Sequence, residues 1–216
     1  MDRAEAQCGL CQRLHPPFER AVAYGSYEGG LRDLIHLLKY QQVRPAAAVL
    51  GRMLAETITG LETTLPPGAI AVVPVPLHAR KRAQRGFNQS ELIARAALKQ
   101  LARPERFQIS TDALVRRRET ESQIGLTRHQ RRENLRGAFA VADPERLAKR
   151  DVLLVDDVFT TGATASECAR VLRRAGANRV WVTTVARTLK VSEIFAVPER
   201  ELEERNVDRL AAAANG

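Results

Sequence analysis

The chain has 216 residues, 44% hydrophobic and 27% charged, so it can bury one hydrophobic core beneath a well-solvated surface. It contains no internal repeat and no run approaching the roughly 20 apolar residues of a transmembrane helix, which argues against a solenoid and against membrane insertion. The formal net charge is +9, and residues 80–150 hold 18 Lys and Arg against 8 Asp and Glu, so the excess positive charge predicts an anionic partner for that segment.

The N-terminal region contains a C-x2-C pair, Cys8 and Cys11. Two cysteines alone are weak evidence for zinc, because a closed structural site needs four ligands. His15, Cys168 or a second chain could complete a site, although Cys168 lies in a helical pattern that suits a small core residue. Three cysteines without a secretory signal argue against a disulfide scaffold, so we expect a cytoplasmic protein.

One α/β domain accounts for the remaining pattern, with residues 1–65 as an N-terminal hood, 66–190 as the core and 191–216 as a C-terminal tail. Residues 31–40 and 46–58 of the hood have helical spacing. Lys39 could project into a binding site, or it could be an ordinary surface lysine.

Residues 70–73 predict a buried strand, and residues 90–101 predict an amphipathic helix. The intervening segment starts with Pro-Val-Pro-Leu-His and predicts a stiff loop, because prolines stop the strand. Four cations crowd this loop near Gly86: Arg80, Lys81, Arg82 and Arg85. Such density suits a pyrophosphate, although charge alone also fits a solvated basic loop.

Residues 116–139 are polar and cationic, with few large apolar side chains. This composition predicts either a mobile flap that orders over a bound anion or an exposed helical arm. Its candidate contact residues are Arg118, Gln123, Arg132 and Asn134.

Residues 151–165 are the most informative segment. The apolar run 152–155 predicts a strand covered on both faces of a parallel sheet. Asp156 and Asp157 should therefore lie just beyond its carboxyl end, where open α/β sheets bind ligands. A turn then opens a predicted helix that ends at Gly176, and the turn consists of Thr160, Thr161, Gly162, Ala163 and Thr164.

The two halves of this segment favour opposite parts of a sugar phosphate. The helix N-terminus, the hydroxyls of the turn and its glycine favour a phosphate. The adjacent carboxylates would repel that phosphate, so their targets are ribose hydroxyls or a Mg²⁺ ion, bound directly or through water. Either half alone could merely cap a loop or a helix, but their order along the chain favours a ribose-phosphate site.

Residues 154–164 resemble, without a gap, the phosphoribosyl-pyrophosphate (PRPP) motif of type I phosphoribosyltransferases. The resemblance implies an α/β fold with a mostly parallel open sheet flanked by helices and a small N-terminal helical hood. It also implies that Asp156 and Asp157 are catalytic residues that hold the ribose hydroxyls, that residues 160–164 bind the 5-phosphate, and that Mg²⁺ accompanies PRPP. The four cations of the basic loop would neutralise the pyrophosphate.

Pro-Val-Pro-Leu-His followed by Arg-Gly-Phe-Asn-Gln is similar to the signature of the ComF family, phosphoribosyltransferase-like proteins associated with competence for DNA uptake. Residues 116–139 resemble the polar stretch that the family places between its two motifs. Family members typically begin with two C-x2-C knuckles, whereas this chain shows one, Cys8 and Cys11. Zinc is therefore doubtful: an earlier start would supply the other knuckle, or this member has lost it.

Three functions follow from these patterns. The resemblance implies a magnesium-assisted displacement at C1 of the ribose of PRPP or a related ribose phosphate, with an unknown acceptor that Arg187 could approach. The basic segment instead fits binding of single-stranded DNA, with the phosphate site regulatory or vestigial, although few aromatic residues are interleaved. A third alternative is a structural partner of other competence proteins, and an oligomer is possible.

Overall fold

The computed structural model describes residues 15–120 and 127–188. Cys8, Cys11, Gln123 and the predicted tail 191–216 lie outside the described residues. The zinc prediction therefore stays a prediction.

Five parallel strands form one sheet. They are β1 (Arg20–Ser26), β2 (Ile70–Pro74), β3 (Phe107–Ile109), β6 (Asp151–Phe159) and β7 (Val180–Arg187). Their order across the sheet is β1–β7–β6–β2–β3. Two further strands, β4 (Leu114–Arg116) and β5 (Phe139–Val141), form a separate antiparallel pair.

Six α-helices lie in the described residues: α1 (Gly29–Tyr40), α2 (Ala46–Leu61), α3 (Ala79–Arg85), α4 (Gln89–Leu98), α5 (Arg128–Leu135) and α6 (Ala163–Arg174). A 3-10 turn, Pro104–Arg106, precedes β3. The helical spacing in the hood is confirmed by α1 and α2. No helix within residues 15–120 and 127–188 has the length and apolar composition needed to cross a membrane.

Strand β6 is buried on both faces, as its apolar run predicts. Leu153 and Val155 pack in a core with residues of α1, α2 and α4. Val152 and Leu154 point to the other face and pack with residues of α6, β4 and β5. Helices thus cover one face, and a helix with the β4–β5 pair covers the other, which confirms the predicted α/β class with a mostly parallel open sheet.

The strand order creates a crevice at the carboxyl ends of β2 and β6. The chain passes from β2 outward to β3, then returns to the opposite side of β2 as β6 and continues outward to β7. Neighbouring loops therefore leave in opposite directions between β2 and β6, which is where open α/β sheets bind ligands. The predicted acidic and basic motifs follow these two strands.

Three predictions about local structure need correction. The basic segment is not a loop throughout, because residues 79–85 form α3; Ala, Arg, Lys and Gln are good helix formers, and Gly86 ends the helix with φ of 77°. Residues 116–139 are not uniformly unpacked, since Leu135 of α5 and Phe139 of β5 are buried. The helix predicted over residues 90–101 spans Gln89–Leu98.

The N-terminal segment contributes to the sheet as well as to the hood. Strand β1 lies at one edge and pairs in parallel with β7, with Arg20 opposite Trp181. Helical periodicity could not reveal this strand. The predicted boundary near residue 65 stays a prediction, with the qualification that β1 belongs to the central sheet.

Candidate functional site

The acidic pair lies within the last part of β6 rather than beyond it, because the strand continues to Phe159. Asp156 is half-buried and lies opposite Thr184 of β7. Asp157 is buried, with 4% of its surface exposed. The expectation that both carboxylates simply extend beyond the buried strand is therefore wrong, since Asp157 needs a partner inside the protein to remain charged.

That partner is Lys39, in the last turn of α1. Its ammonium contacts Oδ2 of Asp157, and the two side chains are only 18% and 6% exposed. Lys39 comes directly after Leu38, which forms the buried face of α1 together with Ile35. From the sequence, Lys39 could lie either in the binding site or on the surface, and the structure places it in the site.

Asp156 has a different set of partners. Its Oδ1 accepts hydrogen bonds from Oγ of Ser90, at 3.0 Å, and from the backbone N–H of Asp157, at 2.9 Å. Ser90 lies in the first turn of α4, whose N-cap Asn88 also donates from its side chain to the carbonyl of Val75. Sequence patterns give no functional signal for Ser90, because 66 residues separate it from Asp156.

The two carboxyls have opposite pKa shifts. Burial and the neighbouring negative charge of Asp157 raise the pKa of Asp156 to about 7. Burial also acts to raise the pKa of Asp157, but the Lys39 ammonium outweighs it and holds that pKa below its usual value. The site thus carries one fixed carboxylate balanced by Lys39 and one carboxyl that titrates near neutral pH.

The predicted phosphate turn directly follows β6. Gly162 is the N-cap of α6 with φ of 75°, so no side-chain oxygen caps this described helix and its first backbone N–H groups remain available. Oγ1 of Thr161 is buried without a hydrogen-bond partner. Thr160 is exposed and Ala163 is buried, while Thr164 is half-buried in the first turn. An anion at this position would satisfy both the amides and the orphaned hydroxyl.

The four predicted pyrophosphate cations lie on α3. Arg80, Lys81 and Arg82 are exposed, and Arg80 forms an ion pair with Glu119 at 3.5 Å. Arg85 is half-buried and donates to Oε1 of Gln89 at 2.5 Å. The structure thus brings α3 to the carboxyl end of β2, and the next helix reaches Asp156 through Ser90.

The predicted flap residues are spread over the β4–α5 region. The guanidinium of Arg118 donates to the carbonyls of Asn134 and Arg136, at 2.8 and 3.1 Å, at the C-terminal end of α5. Arg132 is exposed on that helix. Oε1 of Glu167 on α6 accepts a hydrogen bond from the backbone N–H of Gly137, at 2.8 Å. This bond attaches the chain between α5 and β5 to the helix that follows the phosphate turn. Roles over a bound ligand stay predictions.

The acidic pair does not fit a direct Mg²⁺ site. Oδ2 of Asp157 contacts the Lys39 ammonium, and Oδ1 accepts the backbone N–H of Val158 at 3.0 Å. Among the described residues, no group of three or more His, Cys, Asp or Glu side chains could hold a metal. Since Mg²⁺ prefers several oxygen ligands in octahedral geometry, these side chains do not by themselves form a preorganised metal centre.

The similarity to known proteins extends over most of the chain rather than over one motif. No protein-family model matches the chain. DNA utilization protein YhgH of Escherichia coli K12 is 38% identical over 188 residues, covering 84% of this chain and 78% of that protein. Competence protein F of Haemophilus influenzae is 33% identical over 186 residues, covering 83% of this chain and 78% of that protein.

Among solved structures, the glutamine PRPP amidotransferase of B. subtilis, determined with ADP and GMP, matches with a TM-score of 0.41 and 23% identity. The match covers 65% of this chain and 26% of the amidotransferase. The names of the two sequence relatives refer to competence and DNA utilization. Their identity over most of both chains shows that this protein belongs to the ComF family.

Proposed function

We propose that the protein binds PRPP or a related ribose phosphate in the crevice between β2 and β6 and transfers its phosphoribosyl group to an acceptor. The observation that carries this proposal is the acidic pair, in which Asp157 is buried against Lys39, followed by an uncapped helix and an orphaned hydroxyl at Thr161. A ribose with a 5-phosphate complements both groups. The two adjacent hydroxyls of the ribose can donate hydrogen bonds to the carboxylates, and the phosphate can accept hydrogen bonds from the turn.

The residues then have separate roles in the displacement. Residues 160–164 anchor the 5-phosphate, while Asp156 and Asp157 accept hydrogen bonds from the ribose hydroxyls and orient C1. The bond from C1 to the pyrophosphate oxygen breaks, and its electron pair leaves on that oxygen. The acceptor supplies the electron pair of the new bond to C1. Positive charge that develops on the sugar is stabilised by the carboxylates, and the α3 cations attract the departing pyrophosphate. Mg²⁺ would bind to the phosphates of the ligand and screen their negative charges.

Asp156→Asn is the sharpest substitution for this site, because it keeps the shape of a half-buried side chain while removing its charge. We expect PRPP affinity at pH 8 to fall by about 10- to 100-fold, which corresponds to losing a charge-assisted hydrogen bond of roughly 1.5–3 kcal/mol. Calorimetric titration with PRPP and Mg²⁺ measures the change. Asp33→Asn, at an exposed carboxylate of α1, is the matched control.

The same variant tests the pH dependence. The pKa of Asp156 is raised to about 7, so the carboxylate acceptor is present above that pH and is lost as the pH falls through it. We therefore expect wild-type affinity to decrease below about pH 7 more steeply than that of Asp156→Asn, which lacks this titrating carboxyl. Equal PRPP affinity in the two proteins at pH 8 would contradict the assignment.

A second function, binding of single-stranded DNA, is favoured by the surface around α3. The guanidinium of Arg85 lies 5.8 Å from the ring centroid of Tyr40, which is 68% exposed. An exposed aromatic ring beside cations can stack a base while the cations contact the adjacent phosphates. This surface supplies the aromatic partner that the sequence pattern did not reveal.

Replacing Lys81 and Arg82 together with alanine tests that second function. If single-stranded DNA crosses α3, the slope of log affinity against log salt should become shallower by about 1.4, since each phosphate contact contributes roughly 0.7. Filter binding of labelled oligonucleotide over a salt series measures the slope. The matched control replaces Arg52 and Lys99, two exposed cations elsewhere on the surface. A slope that is unchanged relative to wild type would count against DNA binding at α3.

A further inference from the structure

The acidic pair already has a cation of its own. Lys39 reaches from the hood helix α1 to Asp157 on β6, and both side chains are shielded from solvent. We propose that Lys39 is the built-in counter-ion of the acidic pair, a positioning residue that occupies the place of a divalent cation on Asp157. This inference rests on the proposed ribose-phosphate site. It assigns the charge balance of that site to Lys39, a residue outside the two sequence motifs.

The hydrogen bonds leave little room for a metal at this pair. Oδ1 of Asp157 accepts the N–H of Val158, and Oδ2 faces the Lys39 ammonium. Oδ1 of Asp156 accepts from both Ser90 and the N–H of Asp157. Three of the four carboxylate oxygens therefore already have a partner within the protein, and a metal would have to compete with the Lys39 ammonium for Oδ2 of Asp157.

Charge leads to the same conclusion. An ammonium in contact with Asp157 repels a second cation placed on the same oxygen, and the low-dielectric surroundings of a buried pair strengthen that repulsion. The ammonium can instead hold the carboxylate ionised and correctly oriented while a neutral ligand group, such as a ribose hydroxyl, approaches. The acidic pair is thus built to accept hydroxyls, and any divalent cation in the complex enters on the phosphates of the ligand.

Lys39 also links two parts of the fold. It lies in the last turn of α1, whereas Asp157 lies on β6, so the ion pair attaches the hood to the ligand-binding edge of the sheet. Loss of Lys39 would thus free Oδ2 of Asp157 for a metal and remove this link between α1 and β6, while the buried side chains of Ile35 and Leu38 still pack α1 against the core.

The experiment titrates the full-length protein with Mn²⁺ alone, without PRPP, and measures bound metal by electron paramagnetic resonance. Wild type and Lys39→Arg, which keeps the charge, should show no saturable Mn²⁺ site. Lys39→Met should gain one site, and the thermal midpoint of that variant should rise by about 4 °C or more with saturating Mn²⁺. Lys39→Met combined with Asp157→Asn should lose this site, and Lys99→Met, at an exposed lysine, should behave as wild type.

Two outcomes overturn the inference. One is saturable Mn²⁺ binding by the wild-type protein that disappears in Asp157→Asn or Asp156→Asn, which can be tested even if Lys39→Met does not fold. The other is a folded Lys39→Met protein that gains no Mn²⁺ site. Failure of the proposed function would look different: PRPP with Mg²⁺ would not bind to wild type, whereas the gain of a metal site in Lys39→Met would remain.

Discussion

Replacing Asp157 with asparagine should lower the free energy of unfolding by about 3–5 kcal/mol, because the substitution leaves the Lys39 ammonium in a largely buried position without its counter-ion. Urea denaturation at pH 7 measures the loss. Asp157 has a folded pKa below its usual value of 3.8. Its contribution is therefore fully present above about pH 4 and is lost as the pH falls through the folded pKa.

The double variant that also replaces Lys39 with methionine separates the ion pair from simple damage to the strand. Removing both charges should restore a large part of the lost free energy, since no buried charge is then left without a counter-ion. Asp33→Asn, at an exposed site on α1, should change stability by no more than about 0.5 kcal/mol. If the Asp157→Asn protein were as stable as wild type, Lys39 would have to find an equivalent partner or reach solvent, and the ion pair would lose its assigned role.

Replacing Gly162 with alanine should cost about 2–3 kcal/mol of stability and also weaken PRPP binding. Gly162 has φ of 75°, a conformation that disfavours residues with a Cβ by roughly 1–2 kcal/mol. A Cβ would also approach Cζ of the Phe159 ring to 2.7 Å, and that ring packs edge-on against Phe18 with centroids 6.3 Å apart. The ring would have to move, which adds the cost of overpacking and displaces the turn that we assign to the 5-phosphate.

Gly137→Ala provides the matched control for Gly162→Ala. Gly137 has a similar φ of 68°, but a Cβ there would meet nothing within 4 Å. It should therefore show the backbone cost alone, measured by the same urea denaturation. Equal losses for the two variants would mean that Phe159 yields freely, and unchanged PRPP affinity in Gly162→Ala would argue against a phosphate on this turn.

Local sequence patterns predicted those parts of the fold whose signal lies within a few neighbouring residues. The run 152–155 alternates between the two hydrophobic cores, and its apolar residues on both sides of the strand mark it as central in a parallel sheet. The turn 160–164 and the helix after it were likewise predictable, because the glycine and the helical spacing are local. Strand β1 was not predicted, since an edge strand of mixed burial has a weak periodic signal and is defined by its pairing with β7.

The partners of the acidic pair depend on tertiary structure alone. The sequence identified Asp156 and Asp157 as ligand candidates, but Ser90 and Lys39 come from α4 and α1, and only the folding of those helices onto the same sheet face brings them to β6. That packing determines the electrostatics: burial and the adjacent charge raise the pKa of Asp156 to about 7, while Lys39 keeps the pKa of Asp157 low. The sequence thus determined the chemical groups that β6 and the turn after it contribute to the site, because strand and turn patterns are local. The tertiary structure decided how those groups are charged, because solvent exclusion and ion pairing depend on residues far apart in the chain.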